Sequence, residues 1–129
     1  MEFPSSKSPH KVTTKQAGDA AEGEALRYLQ QKGLRLMQRN YRTPGRGGGE
    51  IDLIMSAPDG TTVFVEVRSR ASGAHGGAAA SIGFAKQRRI IFAARHYLAR
   101  LQQIPPCRFD VVLVEPGGVQ WLQAAFDAS

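Results

Sequence analysis

The first part of the chain changes from a helical to an extended pattern of apolar residues. Four apolar side chains recur at helical spacing and share one face: Ala21, Ala25, Tyr28 and Leu29. They predict a helix over residues 17–32, which Gly33 ends with a left-handed C-cap. Residues 34–43 then alternate in the manner of a strand, and the glycines of residues 44–49 indicate a turn or loop.

The clearest strand pattern follows this loop. Residues 50–55 and 61–70 each alternate with a period of two, and a turn-forming Ala-Pro-Asp-Gly sequence separates them at 57–60. Together they predict a β-hairpin. The alternation assigns three apolar residues to one face of its first strand: Ile51, Leu53 and Met55.

The second half of the chain predicts one long helix and two further strands. An apolar stripe indicates a helix over residues 81–103, which Pro105 and Pro106 bring to an end. Residues 108–115 are an apolar run typical of a buried strand, and residues 119–122 form a last short strand. The predicted fold class is α/β, with a central mixed sheet of about five strands flanked by helices in the order α-β-β-β-α-β-β.

Length and composition indicate one domain and exclude several classes of protein. The 129 residues are 42% hydrophobic, which suits a single domain over residues 16–129, whereas residues 1–15 predict a flexible basic N-terminal tail. The single cysteine, Cys107, excludes an internal disulfide framework and any zinc site built on paired cysteines. No apolar run reaches the ~20 residues that cross a bilayer, and no secretory signal is visible, so we expect a cytoplasmic protein with no membrane partner.

The net charge indicates a class of partner. Seventeen Lys and Arg against eleven Asp and Glu give +6 and a pI near 10.0. Such a balance suits a polyanion, because neutralising phosphates releases counterions, although a modest excess of charge also serves solubility alone. Four cations are candidates for binding a nucleic-acid backbone: Arg70, Lys86, Arg88 and Arg89. The last three could equally be the solvated face of a helix.

The predicted hairpin brings two acidic residues together. A turn centred on residues 58–60 places Asp52 opposite Glu66 and Glu50 near Arg68. Like charges opposed across a sheet are destabilising, so either a divalent cation such as Mg²⁺ or Mn²⁺ binds between them or Arg68 and Arg70 neutralise both. A different strand register would also separate them. A further acid, Asp110, lies on a buried strand and is expected to be structural, paired with Arg108 or a helix end.

The acidic residues of the hairpin belong to a motif that resembles one in a known protein superfamily. Asp52 followed by Glu66-Val67-Arg68 resembles the D…ExK pattern of the PD-(D/E)xK, or restriction-endonuclease-like, nuclease superfamily. Four longer segments, in order, resemble the YraN-like family of uncharacterised bacterial proteins: GGGEIDLI, VFVEVRSR, KQRRIIFAARHYL and RFDVVLVE. With a closing AAFD they span residues 18–127.

The resemblance implies a nuclease-like domain whose core is shared with archaeal Holliday-junction resolvases. In that superfamily an acid on the first helix joins the motif Asp and Glu around one or two metal ions, and Glu24 occupies the matching place here. We therefore expect Glu24, Asp52 and Glu66 to hold Mg²⁺ or Mn²⁺. A homodimer is expected by the same analogy.

One position departs from the superfamily pattern. Arg68 stands where the ExK motif has lysine, and an arginine can stabilise negative charge but cannot act as a neutral amine. Either Arg68 acts electrostatically, or Lys86 reaches the site from the second helix, or turnover is weak or absent. The expected function is a metal-dependent endonuclease or nucleic-acid-binding protein acting on DNA, with branched DNA implied by resemblance. The alternative is a catalytically inactive module that binds nucleic acid or a protein partner.

Overall fold

The sheet and its two helices follow the predicted order. The computed structural model describes residues 13–70 and 82–128, and in them the chain forms two helices and five strands. In chain order they are α1 (Thr14–Gln31), β1 (Arg35–Arg42), β2 (Glu50–Ser56), β3 (Thr62–Ser69), α2 (Phe84–Leu98), β4 (Cys107–Glu115) and β5 (Gly118–Phe126). The α/β class and the order α-β-β-β-α-β-β are confirmed.

The five strands form one mixed sheet in the spatial order β1-β2-β3-β4-β5. Every neighbouring pair is antiparallel except β3 and β4, which run parallel because α2 carries the chain from the end of β3 back to the start of β4. The β2–β3 hairpin therefore occupies the middle of the sheet, and its far end lies between the two helices.

Each face of the sheet is covered by one helix. On the first face α1 packs its stripe of Ala21, Ala25 and Leu29 on β2, β3 and β4. On the other face α2 packs Ile90, Ala94 and other side chains on a cluster that includes Phe64. Two separate apolar clusters result, and polar side chains gather where the covered part of the sheet ends.

Both helices have bounds that differ from the predicted ones. Thr13 caps α1, and it exchanges two 3.0 Å hydrogen bonds with Gln16 in a capping box. The helix consequently starts at Thr14, inside the predicted tail, while residues 1–12 lie outside the described residues. Gly33 has φ +97° as expected for a left-handed C-cap. The second helix begins at Phe84, later than predicted, and ends at Leu98, five residues early, where the amides of Arg100 and Leu101 bond three residues back in single turns.

The last strand is longer than predicted and β2 is less regular. β5 continues to Phe126, four residues past the predicted end, and stacks this ring on Phe109 with 4.9 Å between centroids. In β2, Ile51 packs in the α2 cluster whereas Leu53 packs in the α1 cluster, so the prediction that both share a face is wrong. The change of face occurs at Asp52, opposite Asn40, whose φ of +52° breaks the regular pleat of β1.

None of the helices in the described part of the chain combines the length and the apolar character that a bilayer crossing requires.

Candidate functional site

Asp52 and Glu66 meet at the end of the β2–β3 hairpin. The ladder between the two strands ends with Leu53 opposite Val65, in the predicted register, and Asp52 and Glu66 are the residues that follow this last pair on the two strands. Asp52 Oδ2 accepts a 2.8 Å hydrogen bond from the Val67 N–H, which holds this carboxylate against the neighbouring strand. The two carboxyl groups lie close enough for each to affect the pKa of the other.

Burial makes the acidic pair costly to ionise. Glu66 is only 8% exposed. Burial first, and the charge of Asp52 second, raise the pKa of Glu66 to about 7. Burial also raises the pKa of Asp52, against the opposing effects of the Val67 hydrogen bond and of Lys86. Because two carboxylates this close cannot both ionise readily, the pair keeps a proton into the neutral range.

Two cations approach the pair without hydrogen-bonding it. Lys86 Nζ lies 3.8 Å from Glu66 Oε2, and Arg68 Nε lies 3.8 Å from the same oxygen. Lys86 Nζ is also 3.9 Å from Glu50 Oε2. All three distances exceed the ~3.2 Å limit of a good N–H···O bond but lie within the ~4 Å of an ion pair, so the cations attract the carboxylates without hydrogen-bonding them. Lys86 does reach the site from the second helix, as one of the sequence alternatives required.

Glu50 pairs with Arg42 and Lys86, and not with Arg68 as the sequence predicts. Its Oε1 lies 3.3 Å from Arg42 Nε, and its Oε2 faces Lys86 rather than Arg68. Glu50 therefore connects the acidic pair to the start of the glycine-rich loop.

The acid of α1 that faces the site is Glu22 and not Glu24. Glu24 is exposed to solvent, whereas the Glu22 side chain is 14% exposed, with Oε1 lying 3.8 Å from Arg39 Nε. The buried stripe of α1 explains the difference: at about 100° per residue, Glu22 lies about 60° from its centre and Glu24 about 100° from it. The expectation that Glu24 points to the hairpin is thus corrected.

Glu22 is coupled to the acidic pair. Burial and then the charge of Asp52 raise its pKa, while Arg39 acts in the opposite direction. Glu22 Oε1 is also buried without a hydrogen-bond partner. Sequence reasoning did not select Glu22; the signal that could have found it is its position beside the stripe of Ala21, Ala25 and Leu29.

The four predicted phosphate-binding cations lie in separate environments. Arg70 forms a close ion pair with Glu115, and its side chain is 15% exposed. Lys86 faces the carboxylates, and Arg88 lies on the outer face of α2 over the Phe84 ring. Only Arg89 lies beside a cavity close to the site.

That cavity has a volume of about 320 Å³ and lies between the glycine-rich loop and α2. Arg42, Glu50 and Arg89 line it together with five residues of the loop: Thr43, Gly45, Gly47, Gly48 and Gly49. The loop is anchored at its end, because Gly49 donates a 2.8 Å hydrogen bond to the Thr43 hydroxyl and packs so closely on the Arg89 carbonyl that a Cβ would overlap it. The cavity therefore has a rigid glycine wall and two arginines at its margin.

Asp110 is held by a structural network of its own. Its fully buried carboxylate accepts hydrogen bonds from Arg108 Nε at 3.1 Å, Trp121 Nε1 at 2.9 Å and the Ala124 N–H at 2.9 Å. The predicted pairing with Arg108 is confirmed, and the network joins β4 to β5 where their ladder is irregular. All of its donors come from the far end of the sheet.

The acidic pair is not a complete metal cage. Across residues 13–70 and 82–128, no three His, Cys, Asp or Glu side chains are grouped closely enough to hold a metal ion together. A divalent cation at Asp52 and Glu66 would need further oxygens from water, backbone or substrate. Mg²⁺ sites commonly have this composition, with one or two carboxylates and the remaining positions filled by water and phosphate.

Comparison with known proteins shows where this chain belongs. The model of the family described as "Uncharacterised protein family UPF0102" matches residues 21–114, which include Glu22, both carboxylates of the pair and Arg89. A UPF0102 protein of Albidiferax ferrireducens is 79% identical over 116 residues, 90% of this chain and 91% of that protein. Similar proteins of Paracidovorax citrulli and Methylibium petroleiphilum are 72% identical over 118 residues (92% and 87% of the two chains) and 58% identical over 121 residues (92% and 99%). The chain thus belongs to the UPF0102, or YraN-like, family.

Proposed function

We propose that this protein binds nucleic acid and hydrolyses phosphodiester bonds with Mg²⁺ or Mn²⁺, as a cytoplasmic member of the restriction-endonuclease-like superfamily. The observation that carries the proposal is the Asp52–Glu66 pair, in which a half-buried and a buried carboxyl group converge although two nearby cations do not hydrogen-bond them. A fold that only needed stability gains little from such a pair, because burial and the charge of the neighbouring carboxylate both oppose the ionisation of Glu66.

The chemistry of the donors supports a hard divalent cation. Carboxylate oxygens are the ligands that Mg²⁺ and Mn²⁺ prefer. Glu22 Oε1 adds a buried oxygen without a hydrogen-bond partner on the helix that faces Asp52. We assign Asp52 and Glu66 as the principal ligands and Glu22, in place of the expected Glu24, as the helix acid that assists them.

Each remaining residue of the site has a chemical role in this proposal. When bound, Mg²⁺ or Mn²⁺ supplies Lewis-acid activation of the phosphodiester and lowers the pKa of a water molecule. Arg68, whose side chain is 33% exposed, is placed to stabilise negative charge on the phosphate in the transition state. Lys86 lies between Glu50 and Glu66 and orients both carboxylates. Neither cation needs to lose a proton for these roles.

The cavity beside the site offers room for the substrate backbone. Its arginines, Arg42 and Arg89, are suited to bidentate contacts with phosphate oxygens. Arg70, bound to Glu115, is not assigned to the substrate. DNA, in particular branched DNA, and a homodimer as the active form rest on the resemblance to junction resolvases, and a shared fold alone is a weak basis for assigning substrate.

Metal-dependent cleavage tests the proposal. Fluorescently labelled four-way junction, duplex and single-stranded DNA, with matching RNA, are incubated with the protein in Mn²⁺, Mg²⁺ or EDTA. We expect cleavage in Mn²⁺ that Asp52→Asn and Glu66→Gln abolish. Glu22→Gln is expected to reduce the rate at least tenfold, and the matched Glu24→Gln variant to retain it. Absence of cleavage with every substrate and metal would refute the hydrolase.

A second candidate function is favoured by one observation, the arginine at position 68. Without a lysine in the ExK motif the protein could retain the fold and bind nucleic acid without cutting it. Binding that falls steeply with salt and persists in Asp52→Asn, together with no metal-dependent product, would identify this function.

A further inference from the structure

The outer face of α2 carries two exposed aromatic rings. Phe84 is 73% exposed and Phe92 is 53% exposed. They are eight residues apart, which places them on the same side of the helix about 12 Å apart along its axis. The buried residues of α2, among them Ile90 and Ala94, lie on the opposite side. Exposed phenylalanines in a pair are unusual for a surface that serves only solubility.

Cations are interleaved with these rings. Arg88 and Arg95 follow at four and eleven residues after Phe84, so all four side chains share the outer face. The Arg88 guanidinium lies 5.6 Å from the centroid of the Phe84 ring, a cation–π contact. A cavity of about 290 Å³ adjoins the face and is closed at one end by the last described residues, Asp127 and Ala128.

The chemistry of this face indicates its occupant. Aromatic rings alternating with arginines suit a chain that carries flat apolar groups and regularly spaced negative charges, which describes nucleic acid with unpaired bases. A second copy is disfavoured, because a symmetric interface would bring Arg88 and Arg95 of both copies together. Paired bases within a duplex could not reach the rings.

We propose that the outer face of α2 binds a single-stranded segment of nucleic acid, with bases stacked on Phe84 and Phe92 and phosphates contacting Arg88 and Arg95. This deepens the proposed function, on which it rests for the class of ligand, by specifying a substrate with unpaired nucleotides. Two neighbouring arginines of α2 then contact different parts of the substrate. Arg89 faces the cavity near the carboxylates, whereas Arg88, one residue earlier, faces away from that cavity.

Binding of labelled oligonucleotides tests the inference. Anisotropy is measured in EDTA with a fifteen-nucleotide thymidine strand and with a hairpin duplex of the same length. We expect the double variant F84A/F92A to bind the single strand at least tenfold more weakly, and the duplex about equally. Met37→Ala is the matched control, since Met37 is an apolar side chain 48% exposed on β1. R88Q/R95Q is expected to reduce the salt slope of single-strand binding by about 1.4 for two lost phosphate contacts.

Three results would overturn the proposal of single-strand binding at the outer face of α2. The first is single-strand binding that is unchanged in F84A/F92A. The second is a dimer, detected by sedimentation, that only this variant loses, and the third is poly-glutamate binding that depends on the two rings while single-strand binding does not. These results are distinguishable from a failure of the proposed hydrolase activity. If no substrate is cut but single-strand binding still requires both rings, binding by the outer face of α2 is supported and only the proposed metal chemistry is refuted.

Discussion

Replacing Glu66 with glutamine should stabilise the protein at alkaline pH. Glutamine resembles the protonated form of Glu66 but cannot acquire the charge that burial makes unfavourable. The variant therefore removes the ionisation of Glu66, which destabilises the folded state.

The magnitude follows from the raised pKa. Folding raises the pKa of Glu66 from 4.5 to about 7, so between these values the folded state holds a proton that the unfolded state has released. Stability consequently falls as the pH rises from ~4.5 to ~7 and stays low above that range. At about 1.36 kcal/mol per pH unit, the loss approaches ~3 kcal/mol, which Glu66→Gln should recover at pH 8.5 but not at pH 4.5.

Urea unfolding at the two pH values, in EDTA, measures this difference. The exposed Glu24 supplies the matched control, since Glu24→Gln should change the free energy of unfolding by less than about 0.5 kcal/mol at either pH. Saturating Mn²⁺ should stabilise the wild type at pH 8.5 and have little effect on Glu66→Gln. A Glu66→Gln variant that is equally destabilised at both pH values would refute the reasoning, because the carboxylate would then be contributing a favourable interaction.

Three further variants test neighbouring parts of the account. Lys86→Met removes an attraction that lowers the pKa of Glu66, so the pH midpoint of the stability loss should move upward; an unchanged midpoint would contradict the assigned contact. Asp110→Asn should cost about 3 kcal/mol or more in urea unfolding, because three donors of β4 and β5 lose a charged acceptor, and a loss below ~1 kcal/mol would show that the network is dispensable. Gly49→Ala should cost about 2 kcal/mol through overlap with a backbone carbonyl of α2, while Gly18→Ala, which meets nothing, should be neutral or slightly stabilising; equal effects of the two would contradict the close packing.

The central part of the site could be predicted because it depends on local patterns. Alternation in two strands and a short Pro-Asp-Gly turn determine the hairpin register, and this register brings Asp52 and Glu66 together just beyond the last pair of the ladder, Leu53 and Val65. The order of elements was accessible for the same reason: helical and strand periods are visible within each segment, and the mixed sheet follows from a helix between two strands.

The misplaced features depend on three-dimensional context. Glu22 and Glu24 differ by only two positions, so choosing between them requires the centre of the buried stripe, which only packing on the sheet defines. Arg70 forms an ion pair with Glu115, which is distant in sequence and is brought next to it only by the parallel pairing of β3 and β4. The change of face between Ile51 and Leu53 results from an irregularity opposite Asn40 that no alternation pattern reveals.

The most direct test of the central claim is the anomalous scattering of Mn²⁺ in crystals of this protein soaked at pH 8.5, where both carboxyl groups should be ionised. The account predicts a peak within about 2.5 Å of oxygens from both Asp52 and Glu66, absent in crystals of Glu66→Gln. A map with no peak at the pair, or with the Lys86 ammonium occupying the space between the two carboxylates, would contradict it.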